Sequence, residues 1–268
     1  MSKLVWDAIG ERLYETGTKK GVLYPQVGSA YPKGVVWNGL TAVTESPEGG
    51  EATAIYADDI KYLNIRSVED YGCTIEAYTY PDEFMECDGS RSVAPGVTIG
   101  QQPRRPFGFS WVTTLGDDIE YDEHGYKIHL VWGATASPSE KSYATINDSP
   151  EAITFSWEVD TIPVEVSGYK PTSFMVIDST KTDPEALEDL EEILYGTEND
   201  DARLPLPAEV IRIVGGTAVT YVYTAVEPVG TENPVTEGWY VRLGNDFIKS
   251  TDITVITGTV YFERTEST

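Results

Sequence analysis

Few residues of this 268-residue chain combine the types and the spacing that catalysis requires. A serine nucleophile on a sharp turn needs Gly-x-Ser-x-Gly, and the stretch 108–112 carries Val112 in place of the second glycine. The two glycines and two lysines of residues 17–21 are wrongly ordered for a phosphate-binding loop. The 44 Asp and Glu residues make carboxylate pairs so abundant that no single pair identifies a glycoside hydrolase. We therefore expect a protein that is not an enzyme and that needs no cofactor.

Potential metal ligands are also limited in kind. Two histidines are too few for a typical zinc site. Asp118, Glu120 and Asp122 alternate as the first ligands of a calcium-binding loop do, but Glu123 takes the place of the glycine that this loop needs. Residues 117–125 are therefore interpreted as a solvated acidic loop. Whether an ion binds there stays open at this point.

The cysteines and the hydropathy pattern indicate where the chain is made. The spacing of Cys73 and Cys87 matches no metal or redox motif, and a reducing compartment leaves both as free thiols. No stretch approaches the roughly 18 apolar residues of a membrane-spanning helix. The first residues lack the apolar core of a signal peptide. We expect synthesis in a cytoplasm and no membrane partner.

The chain is strongly acidic, with a formal net charge of -25 at pH 7 and a pI near 4.3. Such a surface repels free nucleic acid, because phosphate binding needs clustered lysine and arginine. Two interpretations stay open. The charge either serves solubility alone, or it forms a surface that touches DNA without holding it.

The elements that position these residues are organised around the stretch 153–195. Its first part alternates, and the apolar side chains of one face are Ile153, Phe155, Trp157 and Val159. A period of two is typical of a half-buried β-strand. Residues 172–177 are more apolar, which predicts a second, better-buried strand that forms a pair with the first.

One helix follows these strands. Asp183 is a favourable N-cap, Pro184 suits the first helical position, and Gly196 follows the last periodic residue. The apolar face that is predicted to cover a sheet contains Leu187, Leu190, Ile193 and Leu194.

Proline and glycine interrupt residues 1–34, which predicts an N-terminal arm with a short strand at 21–24. Such an arm is either disordered or packed on a neighbouring molecule. Asn38 and Gly39 stand between two apolar runs and predict a two-residue hairpin turn.

Three longer strands are predicted at residues 73–80, 107–115 and 126–134, and the last two form an extended hairpin whose tip is the acidic loop. Gly215 and Gly216 mark the best candidate domain boundary.

The domains that we predict are therefore residues 1–214 and a small β satellite at 217–268, whose short strands surround a turn at 244–245. With 17 Tyr, 6 Trp, 24 Gly and 16 Pro, the composition favours a mainly β protein.

Several stretches resemble the major tail protein, or tail tube protein, of long-tailed phages that infect Gram-positive bacteria. They occur in one order over residues 1 to 214 and are GVLYP (21–25), YPKG (31–34), WNGLTAVTESP (37–47), IEAYTYPDEF (75–84), PGVTIGQ (95–101), NDSPEAITFSW (147–157) and ARLPLP (202–207). The satellite, through Asn233, Gly238 to Tyr240 and Ser250 to Asp252, is similar to a small β module appended to various phage tail proteins.

The resemblance implies a β-sandwich or half-barrel with one flanking α-helix and a hairpin or arm that reaches neighbours. It implies hexameric rings that stack into the tube of a virion tail, with double-stranded DNA passing through the lumen during genome ejection. The implied protein partners are further copies of the chain, the tape measure, the tail terminator and the distal tail protein.

On this basis we expect the lumen to be lined by Thr74, Glu76 and Tyr78, with Glu76 pointing inward. The residues expected at contacts between subunits or rings are Tyr24, Tyr31, Trp37, Asp118 and Asp122. The satellite is expected on the tube exterior.

Two alternatives use other features of the sequence. A β-sandwich that binds carbohydrate or adheres to a surface would use the tryptophan and tyrosine side chains of the satellite. A hydrolase would use one pair of the many carboxylates.

Overall fold

The structure, a computed structural model, describes residues 4–146, 148, 152–215, 221–226, 239–243, 246–249 and 261–266. The chain divides into two compact units, Met1–Gly215 and Gly216–Thr268. In the parts of the chain just given, no helix is both long enough and apolar enough to cross a bilayer.

Strands dominate the first unit, which confirms the mainly β prediction. Its strands are β1 (Tyr14–Pro25), β2 (Val35–Trp37), β3 (Leu40–Glu45), β4 (Glu48–Gly49), β5 (Ala52–Ala57), β6 (Ile60–Arg66), β7 (Glu69–Asp70), β8 (Gly72–Ala77), β9 (Arg91–Ala94), β10 (Val97–Ile99), β11 (Phe107–Asp117), β12 (Tyr121–Ala136), β13 (Phe155–Thr161) and β14 (Phe174–Asp178). Its helices are α1 (Phe84–Cys87), α2 (Pro184–Tyr195) and α3 (Pro207–Val214).

One antiparallel sheet organises this unit, in the order β2-β1-β11-β12-β13-β8-β3, and β14 pairs with β12 beside it. The outermost strands β2 and β3 are consecutive in the chain and are joined by two residues, Asn38 and Gly39. The two ends of the sheet must therefore curl toward each other. Two hydrogen bonds hold the ends together, from the indole of Trp37 to Thr79 O (2.9 Å) and from Tyr78 N to Gly39 O (2.8 Å). The result is a strongly curled half-barrel.

The predicted hairpin at Asn38 and Gly39 is therefore wrong. Strand β2 pairs with β1, and β3 pairs with β8, so the two strands leave the turn toward opposite ends of the sheet. Gly39 still needs its positive φ of 76° to make the connection, which is why the local signal resembles that of a hairpin.

The inside of the half-barrel is filled by aromatic side chains. Trp157 is fully buried and lies against Trp37 and Phe84, with ring centroids 5.6 and 5.1 Å apart. The remaining buried side chains include Leu23, Cys73, Ile75, Ala77, Phe107, Phe109, Trp111, Val131 and Val159. Both cysteines are free thiols in this core, as expected.

A second core lies on the outside of the same sheet, under the helices. Leu187, Leu190 and Leu194 of α2 are buried there, and Ile193 of the same helix is half-buried. The strand residues that they pack with are Val22, Tyr24, Val112, Ile128, Leu130 and Trp132. Helix α2 therefore seals one outer face of the half-barrel.

Helix α2 begins and ends where its capping residues predict. The Asp183 carboxylate accepts hydrogen bonds from the backbone N–H of Glu185 (3.1 Å) and Ala186 (3.2 Å), and Gly196 follows the last turn with φ 79°. We expect Asp183→Ala to lower the free energy of unfolding by about 1 kcal/mol, because two helix N–H groups lose their partner. Urea unfolding followed by far-UV circular dichroism measures this loss. The matched control is Asp189→Ala on the exposed side of the same helix, which removes the same charge without a cap.

Three further expectations are corrected by the sheet. The predicted N-terminal arm does not extend beyond residue 13, because β1 is a long strand inside the sheet between β2 and β11. The predicted acidic loop is reduced to the three residues between β11 and β12, since His124 lies in β12. The predicted well-buried second strand, β14, pairs with β12 rather than β13 and is half-exposed, because it has a neighbour on one side alone.

The second unit contains a four-stranded antiparallel sheet in the order β15-β18-β16-β17. Its strands are β15 (Tyr221–Val226), β16 (Trp239–Leu243), β17 (Asp246–Lys249) and β18 (Tyr261–Glu266). The turn predicted at residues 244–245 lies outside the described residues, as do the motif positions 233, 238 and 250–252.

Candidate assembly surfaces

Among the described residues, the outer face of β3, β8 and β13 is partly exposed, with Glu158 and Asp160 exposed and Thr74 and Glu76 half-buried. Because successive strand residues point to opposite sides, the buried Cys73, Ile75 and Ala77 direct Thr74 and Glu76 outward. Glu158 lies opposite Thr74 in the ladder, and Ser156 lies opposite Glu76. The outward residues of β8 and β13 are therefore polar side chains arranged in rows across the two strands.

This face, which we call the acidic face, carries one sign of charge. The outward carboxylates are Glu76, Glu158 and Asp160, and the sequences of β3, β8 and β13 contain no lysine or arginine. Asp160 accepts a hydrogen bond from Ser137 Oγ (3.0 Å), which fixes its position at the end of β13. Tyr78 follows β8 directly and is exposed. The acidic face therefore presents carboxylates and hydroxyl groups without cationic partners from its own strands.

Strands β5 and β6 form a separate two-stranded sheet that is exposed along most of its length. Asp58 and Asp59 make its turn with φ of 51° and 60°, as the two-residue turn between these strands requires. Ile55 and Leu63 lie opposite each other, and their exposed fractions are 39% and 41%. Further exposed apolar side chains of this hairpin are Tyr56, Ile60, Tyr62 and Ile65. A two-stranded sheet is marginally stable in water by itself, so this apolar surface is suited to a partner.

The N-terminal segment, residues 4–13, is a second apolar surface. Its exposed side chains are Leu4, Val5, Trp6, Ile9 and Leu13. Gly10 N donates to Asp118 Oδ1 (2.8 Å), and Arg12 approaches the same carboxylate at 3.6 Å. The segment is thus tied to the β11–β12 turn through its backbone while its large side chains face solvent.

Three residues that the sequence analysis placed at subunit contacts are core residues instead. Trp37 lies inside the half-barrel, and Tyr24 and Tyr31 lie beneath the helices. The Tyr24 hydroxyl donates to Leu194 O (2.8 Å), and the Tyr31 hydroxyl accepts from Gly133 N (2.8 Å). Burial raises the pKa of both hydroxyl groups. The contact prediction is wrong for these three, because large aromatic side chains serve cores and interfaces alike and the sequence does not distinguish them.

The remaining two predicted contact residues lie at the turn between β11 and β12. Asp118 is half-buried through its contact with Gly10, and Asp122 is exposed at the start of β12. Asp117 Oδ1 accepts the backbone N–H groups of Glu120 and Ile119, and these hydrogen bonds lower the pKa of its carboxyl.

A polar cluster closes one end of the inner core. Glu15 accepts hydrogen bonds from Thr113 Oγ1 (2.6 Å) and Lys127 Nζ (2.5 Å), and His129 stacks on Trp111 with ring centroids 4.7 Å apart. Burial would raise the pKa of Glu15, but the hydrogen bonds from Lys127 and Thr113 outweigh it and lower the pKa. Burial lowers the pKa of His129. The cluster holds β1 against β11 and β12.

Sequence reasoning did not identify the β5–β6 hairpin or the N-terminal segment as exposed apolar surfaces. Strand β5 pairs with β6 across a local turn, so the alternation and the two aspartates predict a hairpin, but a pattern of apolar residues does not say which side chains stay uncovered. That property is decided by what the rest of the chain packs against.

Comparison with known proteins identifies no family for this chain. No family model matches the chain, and no curated protein matches it. Among solved structures, the chain is similar to one chain of the cryo-EM structure of the anti-feeding prophage (AFP) baseplate, 6-fold symmetrised, with a TM-score of 0.32 and 7% sequence identity. The match covers 65% of this chain and 97% of that chain. At this TM-score the similarity carries no argument about what this chain does.

Proposed function

We propose that this protein is a structural subunit of a phage tail tube, a role without catalysis. Six copies form a ring, rings stack into a tube, and double-stranded DNA passes through the lumen. The observation that supports this proposal most is the difference between the two outer faces of the half-barrel. One outer face is covered by α2, and the other is the partly exposed acidic face, whose strands contain no cationic side chain. The sequence resemblance over residues 1–214 supports the same role.

In this proposal the acidic face forms the channel wall. DNA binds proteins mainly through lysine and arginine, which displace counterions from its phosphates. A wall that presents Glu76, Glu158, Thr74 and Tyr78 offers no such contact. DNA therefore remains mobile in the lumen, as rapid ejection demands.

The contacts between copies use the two apolar surfaces. A ring requires a heterologous contact, in which one surface of a subunit meets a different surface of the next. The β5–β6 hairpin and the N-terminal segment are two different exposed apolar surfaces of one subunit. The further protein partners that the resemblance implies are the tape measure, the tail terminator and the distal tail protein.

Negative-stain electron microscopy of the purified chain tests the proposal. We expect rings or tubes with sixfold symmetry. A chain that stays monomeric at every concentration and salt condition contradicts the proposal. A second sample that lacks residues 217–268 tests the exterior position of the satellite, because tubes should still form without it.

Charge reversal on the acidic face should convert the tube into a DNA-binding surface. We expect Glu76→Lys with Glu158→Lys to bind short duplex DNA at least about tenfold more tightly at low salt than the unmodified tube, with affinity that falls steeply as salt rises. Fluorescence anisotropy against salt concentration measures this change. The matched control reverses Glu188 and Glu192 on the exposed side of α2, where the same charge lies on another surface. Equal DNA binding by both variants contradicts the assignment of the lumen face.

A further inference from the structure

The turn between β11 and β12 brings three side chains with metal-ligating atoms together. They are Asp117 at the end of β11, Glu120 in the turn and His124 in β12. One ligand atom of each lies within 4.8 Å of the others. The residues are separated by three and four positions, so the turn itself determines their approach.

The distances from the histidine nitrogen to the two carboxylate oxygens are those expected between atoms that bind the same ion. His124 Nδ1 lies 3.2 Å from Asp117 Oδ2 and 3.3 Å from Glu120 Oε2. Two donors that each bind a zinc ion at about 2.1 Å are separated by roughly 3.0–3.4 Å for the usual coordination angles. An N–H to carboxylate hydrogen bond is usually about 2.7–3.2 Å long, so the two separations lie at or just beyond the upper end of that range.

The histidine nitrogen also lacks a hydrogen-bond partner among the described residues. His124 Nδ1 is shielded from solvent, yet it makes no hydrogen bond, since neither carboxylate approach meets hydrogen-bond geometry. Nδ1 is therefore available as a ligand atom, although the imidazole side chain as a whole is 26% exposed. A cation placed between Nδ1 and the two carboxylate oxygens would satisfy all three atoms.

Backbone hydrogen bonds orient the Asp117 carboxylate for binding an ion. Its side chain is 5% exposed, and its Oδ1 is occupied by the backbone N–H groups of Ile119 (2.8 Å) and Glu120 (2.5 Å). The second oxygen, Oδ2, is directed toward His124. These hydrogen bonds fix one ligand before any ion arrives, which reduces the loss of side-chain entropy on binding.

We infer that Asp117, Glu120 and His124 bind a divalent transition-metal ion, with Zn²⁺ as the best match. One imidazole nitrogen and two carboxylate oxygens suit zinc, whereas calcium prefers six or more oxygen ligands. Water, or a side chain of a neighbouring copy, completes the coordination. The ion would also stiffen the turn whose Asp118 holds the N-terminal segment through Gly10.

Isothermal titration of the full chain with ZnCl₂, in a buffer that does not chelate metals, tests this inference. We expect one site per chain and a rise in the thermal midpoint on zinc addition. His124→Gln should weaken zinc binding at least tenfold and remove the thermal shift. Glu120→Gln tests the same site independently, because the Glu120 side chain is 60% exposed and its loss does not threaten folding.

The control is Glu123→Gln, which removes an exposed carboxylate next to the site and should leave zinc affinity within about twofold of the original. Three results would overturn the inference. They are no saturable zinc binding, equal weakening by Glu123→Gln and His124→Gln, which indicates diffuse attraction to an acidic surface, and calcium binding as tight as that of zinc.

Discussion

The double substitution of Ile55 and Leu63 by serine is expected to abolish ring and tube formation while the subunit stays folded. These side chains face each other on the β5–β6 hairpin and are 39% and 41% exposed in the isolated chain. Burying an apolar side chain of this size stabilises a contact by about 1.5–3 kcal/mol. The loss recurs at each of the six contacts of a ring, so its effect on closure is large.

Sedimentation velocity and negative-stain microscopy measure the loss of assembly, and circular dichroism confirms the fold. Because both positions are partly exposed, the free energy of unfolding should change by about 0.5 kcal/mol or less per substitution. Val176→Ser on β14 is the matched control, since Val176 is also 39% exposed but lies on the main sheet. Normal tubes from the double variant would show that the hairpin is not a contact surface.

Trp157→Ala is expected to produce the largest loss of stability, about 3–5 kcal/mol. The indole is fully buried inside the half-barrel, where the rings of Trp37, Phe84, Tyr80 and Phe155 surround it at centroid distances of 5.1–5.8 Å. Replacement by alanine leaves a cavity that these rigid rings cannot collapse to fill.

Guanidinium unfolding followed by circular dichroism measures this loss, and Trp157→Phe separates volume from polarity. The Trp157 indole N–H makes no hydrogen bond, so phenylalanine removes volume alone and should cause a clearly smaller loss. Trp132→Phe provides the contrast, because the Trp132 indole donates to Pro205 O (2.9 Å) and its replacement leaves that carbonyl without its partner. Similar losses for Trp157→Ala and Trp157→Phe would contradict the central role of the Trp157 ring.

Local signals predicted the parts of the fold that local interactions decide. The alternation of residues 153–159 and 73–77 correctly separates the inward side chains from the outward ones, although β13 starts at Phe155 rather than at residue 153. The side of a strand that a residue faces follows from the period of two within that strand, so the sequence contains this signal even though the two strands pair over a long distance in the chain.

The failures occur where a strand has distant partners. Strand β1 was predicted at residues 21–24 alone, because its pairing with β11 shifts register on both sides of Lys19, and Lys20 adopts φ 53°. Residues 21–25 of β1 are buried because β1 pairs with β11 on one side and with β2 on the other. Asn38 and Gly39 show the converse error, in which a correct local turn joins strands whose partners lie at opposite ends of the sheet.

The sequence by itself determined the composition of the surface and the bounds of α2, because charge and helix capping depend on single residues and their near neighbours. The tertiary structure alone decided which aromatic side chains are core residues, which outer face of the half-barrel stays partly exposed, and that Asp117, Glu120 and His124 meet at one turn. The physical reason is that burial and proximity are properties of pairs of surfaces. Curling one sheet so that β2 and β3 lie at its two ends creates those surfaces, and no single stretch of the chain contains both members of a pair.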